Sequence, residues 1–277
     1  MKIGKATVPQ SAICAHNPDT IVVRGEDLCQ DLIGQLGFGD YFYLLLTGRR
    51  PGGPASAVLN ATLVAIAEHG LVPSVQAARM TLAAAPDALQ GAVAAGILGC
   101  GSVILGASET AGRLFDQIDR ESAKHGADIA AAARTVVAEW RARGQAVPGY
   151  GHPVHKARDP RVAALFRVSQ QAGGGQRYVE IAEAVERVLP EVLGKDLRLN
   201  VSAAIPAVLL GVGFPLNALK GVPMLARCAG LIAHMSEELE QPIGFALSYQ
   251  ATREQRYTGA RPAGFVPDQA IDGGAPR

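Results

Sequence analysis

Aromatic residues are scarce in this chain, at 5% of 277, which argues against a β-sandwich core built on aromatic and β-branched side chains. An excess of charge of either sign is missing too. Lys and Arg number 26 against 25 Asp and Glu, for a formal net charge of +1 with 18% charged residues. That balance excludes the electrostatic footprint of a nucleic-acid or anionic-membrane binder. Partners are expected instead among small molecules and further copies of the chain. The four cysteines, Cys14, Cys29, Cys100 and Cys228, form neither a CxxC pair nor a compact disulfide framework, so reduced, partly buried thiols are expected. The N-terminal MKIGKATVPQSAICAHNPDT has no continuous apolar core of signal-peptide length, and the expected compartment is the cytoplasm.

Two uncharged stretches approach the length of a membrane span, Ala88 to Ser108 and Val201 to Leu219. Glycines crowd the first, Pro206 and Pro215 interrupt the second, and neither has flanking Lys/Arg clusters or aromatic belts. Both are read as buried helices and turns of a globular core.

What the chain has in quantity is Ala and Gly, which suits helices packed at short axial distances. After a short extended start at Ile21 to Arg24, GEDLCQDLIGQLGFGDYFYLLLTGRRP reads as two short helices parted at Gly37 and Gly39 and ended by Gly48 and Pro51. Helical spacing continues from Ala55 to His69, then after an expected Ser74 N-cap, and again from Asp87. Charged and apolar residues alternate at helical period over Glu109 to Lys124 and Asp128 to Arg143. Further helices are expected over Arg161 to Gln171, Tyr178 to Leu193 and Val222 to Glu240, followed by an irregular tail. The fold class is therefore all-α, with no internal repeat.

The richest string for chemistry is VPGYGHPVHKARDPR, Val147 to Arg161. Five of the ten residues from 144 to 153 are Gly or Pro, which marks a loop between helices. Gly149 and Gly151 free backbone amides for close approach to a ligand, and His152 stands where the loop passes toward a helix. An imidazole there can hydrogen-bond a carbonyl oxygen. Arg161 follows Asp-Pro at a helix start, where a guanidinium can clamp a carboxylate at two points. Together they suit chemistry on a carboxylate-bearing carbonyl compound, against the plainer alternative of an exposed loop. A metal site at His152 and His155 would have only two ligands, and no dinucleotide fingerprint is present because no strand precedes the glycines.

GYGHPVHKARDPR, 149 to 161, resembles the signature of the citrate synthase superfamily. AEHGLVPSVQAAR at 67–79, GSVILGASE at 101–109, LNVS at 199–202 and YTG at 257–259 resemble further family segments, in order, over about residues 21 to 260. Shortness and the start at VRGEDL resemble the citryl-CoA lyase branch. The resemblance implies a mostly helical homodimer with a large domain at 1–105 and 214–277, a small domain at 106–213 and an active-site cleft between them. It implies a CoA thioester as substrate, with no permanently bound cofactor and no metal, and Claisen or retro-Claisen chemistry on a CoA ester of a hydroxy polycarboxylate such as citryl-CoA, giving acetyl-CoA and oxaloacetate. By position, His69 and His152 would contact the substrate's carbonyl or hydroxyl oxygen. Arg161 would hold one carboxylate, and Arg253 or Arg256 another. Backbone groups of Val147, Gly149, Tyr150 and Gly151 would face CoA.

Two positions depart from the synthase pattern. Ile104 stands where synthases have a histidine, and the lyase branch is apolar there as well. Ser202 stands where both branches have an aspartate that moves a proton at the acetyl carbon. A hydroxyl without its own base cannot do so at neutral pH, and losing such a group costs about 10² to 10⁴ in rate. Three accounts are open: another carboxylate, with Asp196 and Glu237 nearest by sequence, serves instead; the substrate differs; or the chain is a CoA-thioester-binding paralogue without fast turnover.

Overall fold

The computed structural model describes residues 9–126, 128–151, 158–255 and 257–265. It is mostly helical, as the periodicity predicts, with one small sheet near the N-terminus. By compactness the chain divides into unit 1, Met1–Ala65 with Leu105–Pro223, and unit 2, Ile66–Ile104 with Met224–Arg277. The expected small domain, 106–213, lies wholly within unit 1.

Unit 1 begins with three short antiparallel strands, β1 (Cys14–His16), β2 (Ile21–Val23) and β3 (Glu26–Asp27), paired in that order. A π-helical turn at Leu28–Leu32 follows, its N–H groups at Cys29 and Gln30 capped by Asp27. α1 (Phe38–Thr47) packs Leu44 with Val23 and Leu32. Gly39, expected to break the chain, lies inside α1: a Cβ there would come within 2.2 Å of Asn60 Oδ1 on α2 (Gly53–Ala67). The glycine is a packing residue. Gly48 ends α1 in the left-handed conformation, as glycine stops do.

The larger core of unit 1 is formed by α5 (Gly106–His125), α6 (Ile129–Ala142), α8 (Arg177–Leu193) and α9 (Val201–Gly211), with α7 (Pro160–Gln171) on α9. Phe115, Ile118, Val137, Ile181, Leu189 and Ile205 are fully or almost fully buried. α6 falls within the expected helical stretch from Asp128 to Arg143, and Asp128 caps it through Ala131 N.

Unit 2 contains α3 (Pro73–Ala84), α4 (Leu89–Leu98), most of α10 (Gly221–Glu240) and α11 (Gly244–Glu254). Val75, Leu82, Ala92, Leu231 and Met235 make its core. Gly96 permits that packing, since a Cβ would meet Leu231 at 2.8 Å and Ser74 O at 3.0 Å. Three boundaries differ from expectation. α2 stops at Ala67 rather than His69, and the N-cap of α3 is Val72, because Pro73 occupies the first helical position and puts Ser74 inside the helix. α11 replaces the expected irregular tail: its first N–H groups, at Ile243 and Gly244, are satisfied by Glu238 on the preceding helix.

Among the described residues, no single helix is long and apolar enough to cross a membrane. Of the four thiols, Cys100 is buried, Cys228 half-buried, and Cys14 and Cys29 exposed.

Candidate active site

The glycine loop lies in unit 1, where it pairs with the segment leading into α9. Gly149 O accepts from Asn200 N at 2.9 Å and Gly151 N donates to Arg198 O at 2.6 Å. Tyr150 and Leu199 thus form an antiparallel bridge, and Asn200 Nδ2 adds a bond to Gly151 O at 2.6 Å. Three groups expected to face CoA, Gly149 O, Gly151 N and Gly151 O, are therefore spent within the protein. Gly149 has φ +86°, and a Cβ on it would lie 2.5 Å from Ala203 Cβ, so both conformation and space demand glycine.

Val147 and Tyr150 are buried. The Tyr150 hydroxyl donates to Ala182 O at 2.8 Å. Burial, reinforced by Glu186 and only partly opposed by Arg158, pushes its phenol well above the usual tyrosine range. Tyr150 is an anchor and stays neutral at ordinary pH.

Asn200 caps α9, its Oδ1 accepting from Ser202 N at 2.9 Å. Ser202 is therefore the second residue of the helix rather than its cap, and is half-buried.

Asp159 is the residue that sequence reasoning passed over, although Asp-Pro at a helix start signals a cap. It is 1% exposed. Its Oδ1 accepts from Arg161 N at 3.0 Å and Arg161 Nε at 3.1 Å. Its Oδ2 takes Arg161 Nη2 at 2.8 Å and Val201 N at 3.3 Å. Burial works to raise this carboxyl, but the bonds from Arg161 and Val201 outweigh it and hold it below the usual range. One carboxylate thus joins the guanidinium of Arg161 to the first turn of α9, which carries Ser202. Arg161 Nη1 faces Ala65 O at 3.5 Å, beside an open apolar cavity of about 470 Å³ lined by Val64, Leu165 and Val168 among others.

Glu186 on α8 braces the same region. Its Oε1 accepts from Leu199 N at 2.6 Å, and it pairs with Arg158.

Of the remaining candidates, His152, His155 and Arg256 lie outside the described residues. His69 belongs to unit 2; it is exposed, just beyond α2, and its backbone N–H donates to Glu68 Oε1 at 2.8 Å. Arg253, also in unit 2, is exposed on α11, its guanidinium 5.9 Å from the centre of the Tyr249 ring. Glu237 is paired with Arg79 at 2.5 Å, and Asp196 with Arg198 at 2.9 Å. Ile104 is exposed in the π-helical turn Gly101–Leu105. The structure thus gathers the glycine loop, Asp159, Arg161 and Ser202 around the start of α9. Among the described residues no three His, Cys, Asp or Glu side chains are arranged to hold a metal ion.

Residues 11–244 match the family described as citrate synthase, C-terminal domain. The chain belongs to the citrate synthase family. It is 32% identical to a solved citryl-CoA lyase from Hydrogenobacter thermophilus, with a TM-score of 0.81 over 94% of this chain and 98% of that one. It is 26% identical to the citrate synthase of Haloferax volcanii over 88% of this chain and 61% of the relative. It is 29% identical to that of Synechocystis over 74% and 50%. The chain therefore spans about half to three-fifths of the length of these curated synthases. A Thermoplasma acidophilum citrate synthase, at 23% identity and TM-score 0.62, shares the fold. The matched residues of this family, whose members act on CoA esters, include four of the five sequence segments, and YTG at 257–259 lies beyond them.

Proposed function

We propose that the chain is a CoA-dependent carbon–carbon lyase or synthase of the citryl-CoA lyase type, acting by retro-Claisen or Claisen chemistry. The observation that supports this reading is the similarity to the Hydrogenobacter lyase, 32% identity at a TM-score of 0.81 covering 94% of this chain and 98% of that one. In the cleavage direction, a base takes the hydroxyl proton of citryl-CoA, the bond between the hydroxyl-bearing carbon and the thioester α-carbon breaks, and oxaloacetate forms. The electron pair passes to the thioester as an enolate, which takes a proton to give acetyl-CoA.

In this reading His152 and His69 contact the oxygen that changes between hydroxyl and carbonyl, and oriented hydrogen bonds to it lower the barrier. Arg161 takes a substrate carboxylate with the edge of its guanidinium that Asp159 leaves open. The two-point Asp159 fork supports that role because it fixes the cation before substrate arrives. Arg253 or Arg256 takes a second carboxylate, and backbone groups of the Val147–Gly151 loop other than those bound to residues 198–200 face CoA. The small domain is 106–213, the large domain 1–105 and 214–277. The enzyme is cytoplasmic and works as a homodimer.

A second reading, a binding paralogue with slow turnover, is favoured by one feature. Ser202 supplies no carboxylate at the first turn of α9, and Asp196 and Glu237 are each engaged by an arginine.

The deciding experiment incubates the purified chain with citryl-CoA and follows acetyl-CoA and oxaloacetate, beside His152→Ala and Arg161→Ala. Turnover that falls at least about a hundredfold in both variants supports the lyase. Saturable citryl-CoA binding without product supports the paralogue. Product formation unchanged in both variants removes the site assignment.

A further inference from the structure

Three elements of unit 2 converge on a carboxylate that the chemistry above leaves unused. α2 ends at Ala67, and Glu68 folds its side chain back over the residues that follow. Its Oε1 accepts from His69 N at 2.8 Å and from Gly70 N. Gly70, at φ +72°, then turns the chain toward α3, with its carbonyl taken by Val72 N at 2.7 Å. The other oxygen, Oε2, lies 2.9 Å from His234 Nε2 on α10.

His234 is itself fixed. Its side chain is 14% exposed, and its Nδ1 faces Arg79 Nη1 at 3.4 Å and Glu237 Oε2 at 3.8 Å. Arg79, 3% exposed, is bound by Glu238 and Glu237. α10 approaches this closely because residue 230 is glycine: a Cβ there would lie 2.2 Å from Ala67 O and 3.2 Å from Glu68 Oε2. Arg79 Nη1 can donate to His234 Nδ1 and Glu68 Oε1 receives the two backbone N–H groups, while His234 Nε2 and Glu68 Oε2 meet in a close polar contact at 2.9 Å that lacks the alignment of a hydrogen bond.

Half-exposed ion pairs add little to stability, and the Glu68 side chain is 48% exposed. What its contacts do fix is the backbone at His69. We propose that Glu68, held by His234, is a positioning residue that sets the direction of the His69 imidazole toward bound substrate. The inference rests on the reading of His69 as a residue that touches substrate. Its physical ground is that misplacing a reacting group by about 1 Å can cost about 10² in rate. Glu68 carries the ionised form this needs: burial raises its carboxyl, but His234 and the N–H groups of Gly70 and His69 bring it below the usual range.

The test is a double-variant cycle on citryl-CoA cleavage, with citryl-CoA affinity measured by calorimetry in parallel. Glu68→Ala is expected to lower kcat about ten- to a hundredfold with KM changed less than about threefold. In a His69→Ala background the same change is expected to add less than about twofold, because both act through one imidazole. His234→Gln, which keeps a polar group facing Glu68, is expected to retain most of the activity that His234→Ala loses. If Glu68→Ala does not fold, this His234 pair decides. Losses that multiply in the double variant, a Glu68→Ala enzyme equal to the parent, or equal activities of the two His234 variants would overturn the proposal. His69→Ala with undiminished turnover, or a parent that neither binds nor cleaves citryl-CoA, overturns the underlying reading first, and is seen before any Glu68 variant is made.

Discussion

Asp159 grips Arg161 at two points, Oδ1 to Nε at 3.1 Å and Oδ2 to Nη2 at 2.8 Å, while the same carboxylate reaches Val201 N at the head of α9. A guanidinium held this way keeps its orientation without help from a ligand, and the helix that bears Ser202 is tied to it.

Asp159→Asn removes the charge from a buried pair and is expected to cost about 3 kcal/mol of stability at pH 7. The Asp159 carboxyl is held below its ordinary value in the folded chain. Its contribution is therefore fully present above the unfolded carboxylate pKa of about 4 and is lost as pH falls through the folded value. Urea unfolding of both proteins at pH 7, 5 and 3 checks this: the gap between them should hold at the first two and narrow at the third. A gap independent of pH would mean that packing, not the carboxylate, sets the loss.

Gly149→Ala meets two obstacles, a left-handed backbone and a 2.5 Å approach to Ala203. About 1–2 kcal/mol for the conformation and about 1–3 kcal/mol for overpacking give an expected loss of about 2–5 kcal/mol, read as a lower denaturation midpoint. Gly144→Ala is the matched comparison. It shares the positive φ, but nothing lies within 4 Å of its Cβ, so it should lose only the conformational part.

Ser202→Asp returns a carboxylate to the first turn of α9. The helix N-terminus tolerates negative charge there, so folding should be kept. If proton transfer at the acetyl carbon is what limits the chain, citryl-CoA cleavage should rise about a hundredfold or more, measured as acetyl-CoA release. An unchanged rate would show that the serine is not the limiting departure and would point to a different acyl substrate.

Much of the architecture was legible because it is locally encoded. α6 announces itself by Asp128 and by its apolar period, and α1 by the glycine that stops it. What escaped depends on distant partners. α11 has no side chain of its own capping its first turn, and Glu238, on the preceding helix, supplies that function. Gly39 looked like a break because Asn60, the neighbour that requires it, is 21 residues away. At the site, Arg161 was found from its place after Asp-Pro, but the acid that orients it was overlooked because a capping aspartate explains itself locally. The glycines at 149 and 151 were read as ligand-facing, whereas much of their polar backbone is consumed by residues 198–200.

Glu186 gives this region a shared point of failure. From α8 it accepts the Leu199 amide and pairs with the Arg158 guanidinium, so one side chain on a helix outside the loop ties the backbone before α9 to a side chain just ahead of α7. Randomising α8 to improve thermal tolerance would therefore loosen the glycine loop and the start of α9 through position 186, and a library built on this scaffold should leave that glutamate untouched.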